Sequence, residues 1–343
     1  MTGAPPPRRR SRLPPGGVAL ATGCVLFAAG CGGSQNVLRP ESHAERRISN
    51  LFWIMMGAAW LGLGVVALFL LLGWVRRHRS GLPGGGGDKA GAALVVVLGV
   101  AVPIVALSFL FWYSDVEVIG DTAAPAAAST AMTVEVVGHQ WFWEVRYPGT
   151  DAVTANEIHI PVRTRVNLVA RTADVIHSFW VPRLNRKIDM IPGQANRILL
   201  YADRRGVYRG RCSEFCGLQH ANMQLLVIAE PPRAFRRWLR HMAAPAARPQ
   251  TAASRRGREV FLSQACADCH TIRGTDAAGT VGPDLTHLQT RSTLAAVTIP
   301  NRKGYLGGWV LDPQHIKPGN KMPGLPLKGP EFQDLLSYLE SLD

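Results

Sequence analysis

The sequence predicts a multi-domain membrane protein: a two-helix transmembrane hairpin, an all-β Greek-key domain and a small all-α domain. Three observations carry this reading. Two dense apolar blocks lie before residue 113, and the rest of the chain has the composition of ordinary soluble protein. From Met132 to Glu230 short runs alternate apolar and polar residues between turn signals, which is the period of half-buried strands. The last segment closes on an amphipathic run, Glu331 to Leu342, where Phe332, Leu335, Leu336 and Leu339 share one helical face. At 343 residues the chain is long enough for two or three domains.

Residues 1–30 read as an export signal. An Arg-rich start precedes the apolar stretch Val18 to Ala29, which is too short to cross a bilayer. It ends Phe27-Ala28-Ala29-Gly30-Cys31, which resembles a lipoprotein cleavage site with Cys31 as the lipidated residue. Residues 31–50 form an extracytoplasmic segment. The hairpin occupies 51–112: Leu51 to Val75 and Ala90 to Trp112 are each long enough to span as helices. Their connector carries Arg76, Arg77 and Arg79, while Asp115, Glu117 and Asp121 follow the second span. The positive-inside rule puts the connector in the cytoplasm and everything after Trp112 outside.

Within 113–240 the strand-like runs are Thr133 to Val136, Glu157 to Ile160, Arg165 to Leu168, Arg197 to Tyr201 and Gln224 to Ile228. Pro192-Gly193 and Arg205-Gly206 mark turns. Residues 241–254, rich in Ala and Pro, read as a linker, and 255–343 as the helical domain.

The net charge of +14 invites a nucleic-acid reading. The distribution argues against it. Much of the excess sits at Arg8, Arg9, Arg10, Arg12 and in the connector, with no basic stripe interleaved with aromatics elsewhere. The six cysteines form three pairs: Cys24 and Cys31, Cys212 and Cys216, Cys266 and Cys269. An even count in an exported chain ordinarily favours disulfides, but each of the two later pairs is followed by a histidine at a useful spacing.

The most informative stretch is Cys212-Ser213-Glu214-Phe215-Cys216-Gly217-Leu218-Gln219-His220-Ala221-Asn222-Met223. Two thiolates, an imidazole and a thioether converge within twelve residues, a mixture suited to copper. His177 supplies a second imidazole upstream. Two cysteines bridging two copper ions leave one histidine per metal and weak axial positions for Met223 and a backbone carbonyl. Alone, the Cys-x3-Cys spacing suits a disulfide or a zinc half-site equally well.

This stretch resembles the dinuclear copper (CuA) loop of cytochrome c oxidase subunit II. Gly138-His139-Gln140-Trp141-Phe142-Trp143, His177-Ser178-Phe179-Trp180-Val181-Pro182 and Lys187-Ile188-Asp189-Met190-Ile191-Pro192-Gly193 follow the family's order. The resemblance implies a cupredoxin-like domain whose copper ligands are His177, Cys212, Cys216, His220, Met223 and the main-chain carbonyl of Glu214. It further implies a magnesium ion bound by the Glu214 carboxylate at the subunit I interface, and Trp141 as the residue through which electrons come in. Many family members carry a glutamate just before the second span. Here the region reads Gly87-Asp88-Lys89-Ala90, so that role is not transferred.

Cys266-Ala267-Asp268-Cys269-His270 has the C-x-x-C-H pattern of covalent haem attachment: thioethers at Cys266 and Cys269, His270 as proximal iron ligand. Zinc and redox readings share the pentapeptide. An amphipathic run, Gly257 to Gln264, precedes it, and Gly282-Pro283-Asp284-Leu285 follows. Lys317-Pro318-Gly319-Asn320-Lys321-Met322-Pro323 offers Met322 as sixth ligand, and His/Met ligation raises the haem potential. His287 and His315 are rivals read as surface residues. The tail resembles the class I cytochrome c domain fused to subunit II in caa-type oxidases, with Gly257, Phe261 and Tyr338 as its helix-crossing contact.

Together the resemblances imply subunit II of a respiratory haem–copper oxidase in a bacterial plasma membrane, its copper and haem domains on the extracytoplasmic side. Electrons from a donor (a cytochrome c or a bc-type complex) would pass through the fused haem c and CuA to subunit I. Oxygen reduction and proton translocation would occur there. The implied partners are subunit I, further oxidase subunits and membrane lipid, with no nucleic acid. The alternative is a copper-delivery or assembly protein with an attached cytochrome, which needs neither Met223 nor a haem.

Overall fold

A computed structural model of the chain describes residues 33–78, 88–126, 129–327 and 329–343. The expected signal, Cys31, and the connector from Arg79 to Gly87 lie outside the described residues. The first helix, α1, runs His43–His78. At 1.5 Å per residue its 36 residues reach about 54 Å, beyond the ~30 Å of a hydrocarbon core. It starts eight residues before the expected span because Ser42 caps it: the Ser42 hydroxyl accepts from Glu45 N at 3.0 Å and donates to Leu184 O. The second long helix comprises α2 (Asp88–Val96), α3 (Val102–Tyr113) and α4 (Gly120–Thr122). Wider π-type turns join them at Val97–Ala101 and Ser114–Ile119. The first such turn precedes Pro103, whose missing N–H an unbroken helix does not accommodate.

Both helices are long and apolar enough to cross a membrane. Their apolar side chains are exposed all round, Trp60 by 64% and Phe111 by 76%. A helix apolar on every face needs a non-aqueous surrounding. Arg47 and Glu117 pair at 2.6 Å between the two helices, beyond the apolar stretches.

Ten strands follow: β1 Met132–His139, β2 Phe142–Arg146, β3 Val153–Ala155, β4 Glu157–Pro161, β5 Val166–Thr172, β6 His177–Trp180, β7 Ile188–Met190, β8 Asn196–Leu200, β9 Gly206–Cys212 and β10 Gln224–Glu230. They form two five-stranded sheets, ordered β3-β2-β1-β5-β8 and β4-β10-β9-β6-β7. Each sheet has one parallel pair, β1 with β5 and β4 with β10, and antiparallel neighbours otherwise. Alternate residues point inward, so Val134 and Val136 of β1, Trp143 and Val145 of β2, and Leu168 and Ala170 of β5 share a fully buried core. This is the expected cupredoxin-like sandwich.

Helix α5 (Pro232–Ala243) was not anticipated from sequence. Phe235, Trp238, Leu239 and Met242 recur at helical spacing and pack on the sandwich core, while Arg233, Arg236, Arg237 and Arg240 face solvent. The expected linker therefore shortens to 244–251, since α6 (Ala252–Ser263) begins behind a reciprocal Thr251/Ser254 cap.

The helical domain comprises α6, the turn α7 (Cys266–Cys269), the two-residue strands β11 (Thr293–Leu294) and β12 (Ile299–Pro300), α8 (Lys303–Leu311), α9 (Pro313–Ile316) and α10 (Gly329–Leu339). Helices α6 and α10 cross at Gly257. A methyl group there would lie 1.9 Å from Asp334 O, so only glycine permits the approach. Phe261 and Tyr338 meet edge to face at 5.9 Å beside it.

Candidate copper and haem sites

Strand β6 begins at His177, β9 ends at Cys212, and the loop to β10 carries Glu214, Cys216, His220 and Met223. Because β6 and β9 are paired neighbours, residues 35 apart in sequence meet at one end of the sandwich. The two Sγ atoms lie 3.8 Å apart, too far for a disulfide bond of ~2.05 Å. Cys212 Sγ is 3.8 Å from His177 Nδ1 and 3.2 Å from Glu214 O. Cys216 Sγ is 3.7 Å from His220 Nδ1 and 3.8 Å from Met223 Sδ. Each sulfur thus faces one imidazole nitrogen and one weaker donor. His177, Cys212 and Met223 are almost wholly buried.

Neighbouring groups prepare these donors. His177 Nε2 lies 2.8 Å from Asp174 Oδ1, which fixes the ring and leaves Nδ1 toward the sulfurs. Burial pushes the Asp174 carboxyl up, but hydrogen bonds from His177, Gln140 N and Val175 N outweigh it and hold the pKa at about 2. The Cys212 thiol is lowered, because Cys216 S–H donates to it against the effect of burial. A set of two thiolates, two imidazoles, a thioether and a carbonyl at one end of the sandwich fits a soft dinuclear metal centre. The Glu214 carboxylate points away, is exposed and accepts from Phe215 N at 3.1 Å.

Cys266, Cys269, His270 and Met322 line one cavity in the helical domain, walled by Phe261, Leu285, Leu306, Trp309 and Leu335. The single turn α7 puts both cysteines and His270 in register. His270 Nδ1 donates to Pro283 O at 2.7 Å, which leaves Nε2 as the ligating nitrogen. Burial lowers the His270 pKa, which favours the neutral ring that a metal needs. At Gly282 a methyl group would stand 2.5 Å from His270 Cε1, so glycine is what lets the ring lie where it does. The donor set and the apolar walls fit a haem.

The two rival histidines separate cleanly. His315 is exposed and outside this cavity. His287 is not the surface residue expected: it is buried, with its ring nitrogens against Asp343 O and Ala244 O.

The same cavity is walled by the sandwich. Gln140, Trp141, Phe142 and Asn156 line it beside His270 and Met322. Trp141 is half-buried, unlike the fully buried Trp143, and its indole N–H donates to Cys216 O at 3.0 Å. Gln140 Nε2 donates to the same carbonyl at 2.8 Å. Sequence reasoning missed Gln140, Asp174 and Lys317. Gln140 and Lys317 lie within the motif stretches 138–143 and 317–323, and Asp174 lies three residues before His177, but nothing in those stretches marks their partners.

Fold and sites define a membrane-anchored redox subunit with a sulfur–imidazole metal centre beside a c-type cytochrome pocket. The family described as "Cytochrome C oxidase subunit II, periplasmic domain" matches residues 150–230, and the family "Cytochrome c" matches 254–343. Cytochrome c oxidase subunit 2 of Alkalihalophilus pseudofirmus is 30% identical over 330 residues, covering 93% of this chain and 94% of that protein. The protein of the same name from Bacillus sp. (strain PS3) is 30% identical over 262 residues, covering 73% and 71%. Among solved structures, the periplasmic domain of CoxB of Bradyrhizobium japonicum is 29% identical and covers 35% of this chain and 96% of that one, with a TM-score of 0.33. The chain belongs to the cytochrome c oxidase subunit 2 family and carries a fused cytochrome c domain. It is a subunit of an oxidoreductase, cytochrome c oxidase.

Proposed function

We propose that this chain relays electrons from an external donor, through a haem c held by Cys266, Cys269, His270 and Met322 and a CuA centre held by His177, Cys212, Glu214 O, Cys216, His220 and Met223, to subunit I, where oxygen is reduced with proton translocation. Cys266 and Cys269 form the covalent thioethers. Asp174 orients His177, and the Pro283 carbonyl orients His270. The Glu214 carboxylate, exposed beside the copper loop, takes a magnesium ion at the subunit I interface. Residues 51–112 anchor the chain in a bacterial plasma membrane with both redox domains outside, and Cys31 adds a lipid anchor after removal of residues 1–30. The donor is a cytochrome c or a bc-type complex.

The observation that carries this reading is the position of Trp141. Its ring walls the cavity that holds His270 and Met322, and its N–H reaches the carbonyl of Cys216. One side chain therefore touches both sites. Internal transfer is expected to be independent of protein concentration and only weakly sensitive to ionic strength, because no diffusional encounter is involved. Stopped-flow traces of the assembled oxidase at several dilutions and salt levels test it. A rate that scales with protein concentration would mean that the fused domain serves other molecules.

A further inference from the structure

Lys317 is only 2% exposed, yet no carboxylate among the described residues lies within ion-pair distance of it. Its ammonium spends all three donors on main-chain carbonyls: Trp141 O at 2.8 Å, Asn222 O at 3.0 Å and Ala295 O at 3.2 Å. Two of these belong to the sandwich, in the loop bearing Trp141 and the segment just before Met223. The third belongs to the helical domain. A buried cation is costly unless fully hydrogen-bonded, and this one is satisfied only while the two domains stay together.

The third carbonyl sits in an unusual place. Ala295, Ala296 and Val297 between β11 and β12 all have positive φ, of 51°, 56° and 66°. Such a run is unfavourable for residues with a Cβ, most of all for a β-branched valine, and persists only when the surroundings hold it. Of the holding contacts, Lys317 Nζ on Ala295 O lies within the helical domain, and Gln224 N on Ala296 O at 3.3 Å crosses the domain boundary. Beside them Gln219 Nε2 donates to Pro318 O at 2.7 Å. A separate group of contacts, Ser292 N and Oγ on the Glu157 carboxylate, pins another edge of the interface.

We propose that Lys317 is the latch that holds the helical domain over Trp141 and so decides which donor reduces the copper centre. Electrons arrive there only through this chain's own cytochrome domain, and a separate donor protein is kept from the Trp141 face. Lys317 is a positioning residue: it lines the edge of the cavity that holds His270 and Met322, and its ammonium bonds only main-chain carbonyls. The inference rests on the proposed electron route and adds to it a gate against outside donors.

The test compares the wild-type assembled oxidase with Lys317→Met and Ser292→Ala, mixed with a small soluble c-type cytochrome as reductant. In the wild type, haem reduction precedes copper reduction. In Lys317→Met, copper is reduced directly by the soluble cytochrome, at least tenfold faster than any such phase in the wild type and in proportion to donor concentration. Amide hydrogen exchange in the peptide 138–143 also rises at least tenfold, a readout independent of turnover, while the haem spectrum stays unchanged. Ser292→Ala, which loosens the interface away from the latch, leaves the order of reduction and the exchange as in the wild type. Where Lys317→Met does not assemble, Lys317→Gln, which keeps two donors, shows the same signature at smaller amplitude. Wild-type exchange and donor access in the Lys317 variants overturn the latch, as does equal opening in Ser292→Ala. Direct copper reduction ahead of haem in the wild type itself overturns the underlying route instead.

Discussion

At the two proposed metal sites single side chains have separable tasks, and substitution distinguishes them. Cys216 faces both His220 and Met223, so Cys216→Ser removes the sulfur common to half of the donor set. Copper content and the mixed-valence spectrum are expected to be lost while haem content and its spectrum persist, because α7 is untouched. Finding a single isolated copper, or zinc, in the wild-type protein would contradict the dinuclear assignment. Met322→Ala leaves the attachment cysteines in place and removes only the thioether. A redox titration should therefore show covalently bound haem at a lowered potential, and an unchanged potential would move the sixth ligand elsewhere. These residues were legible in the sequence because their chemistry is in their side chains and their spacing is short. Lys317 and Gln140 were not, because what they recognise is a backbone carbonyl, which every residue possesses. His287 was misread for the same reason: its ring nitrogens lie against Asp343 O and Ala244 O, and nothing in the sequence marks either.

Among the elements, the crossing of α6 and α10 sets how the helical domain closes around its cavity. Gly257→Ala drives a methyl group into the Asp334 peptide, so the helices must separate. Overpacking of this kind costs about 1–3 kcal/mol, which for a domain of this size lowers Tm by roughly 4–8 °C per kcal/mol. A thermal melt followed at the haem band checks it, and an unshifted melt would show that the crossing tolerates the methyl. The strands read from alternation, β1, β4, β5, β8 and β10, all formed; β4, β8 and β10 lie within two residues of their expected limits, while β1 and β5 run on to His139 and Thr172. Strands β6 and β9 were overlooked because the buried polar residues His177 and Ser178 and the glycines Gly206 and Gly210 break the alternation that marks a strand. Helix α5 was overlooked because it is short, starts at Pro232 and carries basic residues at Arg233, Arg236, Arg237 and Arg240 that dilute its apolar face.

Over the whole molecule, the segment that reads from sequence as a linker is held against the domains it joins. Arg273 of the helical domain donates to Asp151 O of the sandwich and to Met242 O and Ala243 O at the end of α5. Ala246 N donates to Arg273 O, and His287 Nε2 meets Ala244 O. The connecting segment is thus laid along the domain it leads to, and proximity comes from a built interface more than from chain length. A similar junction exists at the other end of the sandwich. Glu41 N and O exchange hydrogen bonds with Arg183 O and Asp203 N, both at 2.9 Å, and Arg183 pairs with the Glu41 carboxylate at 2.8 Å. Arg46, one turn into α1, pairs with Asp203. Together with the Ser42 cap, these contacts make a splice without a hinge. A membrane helix leans as the bilayer thins or thickens, and this one acts as a lever arm: when α1 leans, the sandwich and the cytochrome domain docked on it lean with it.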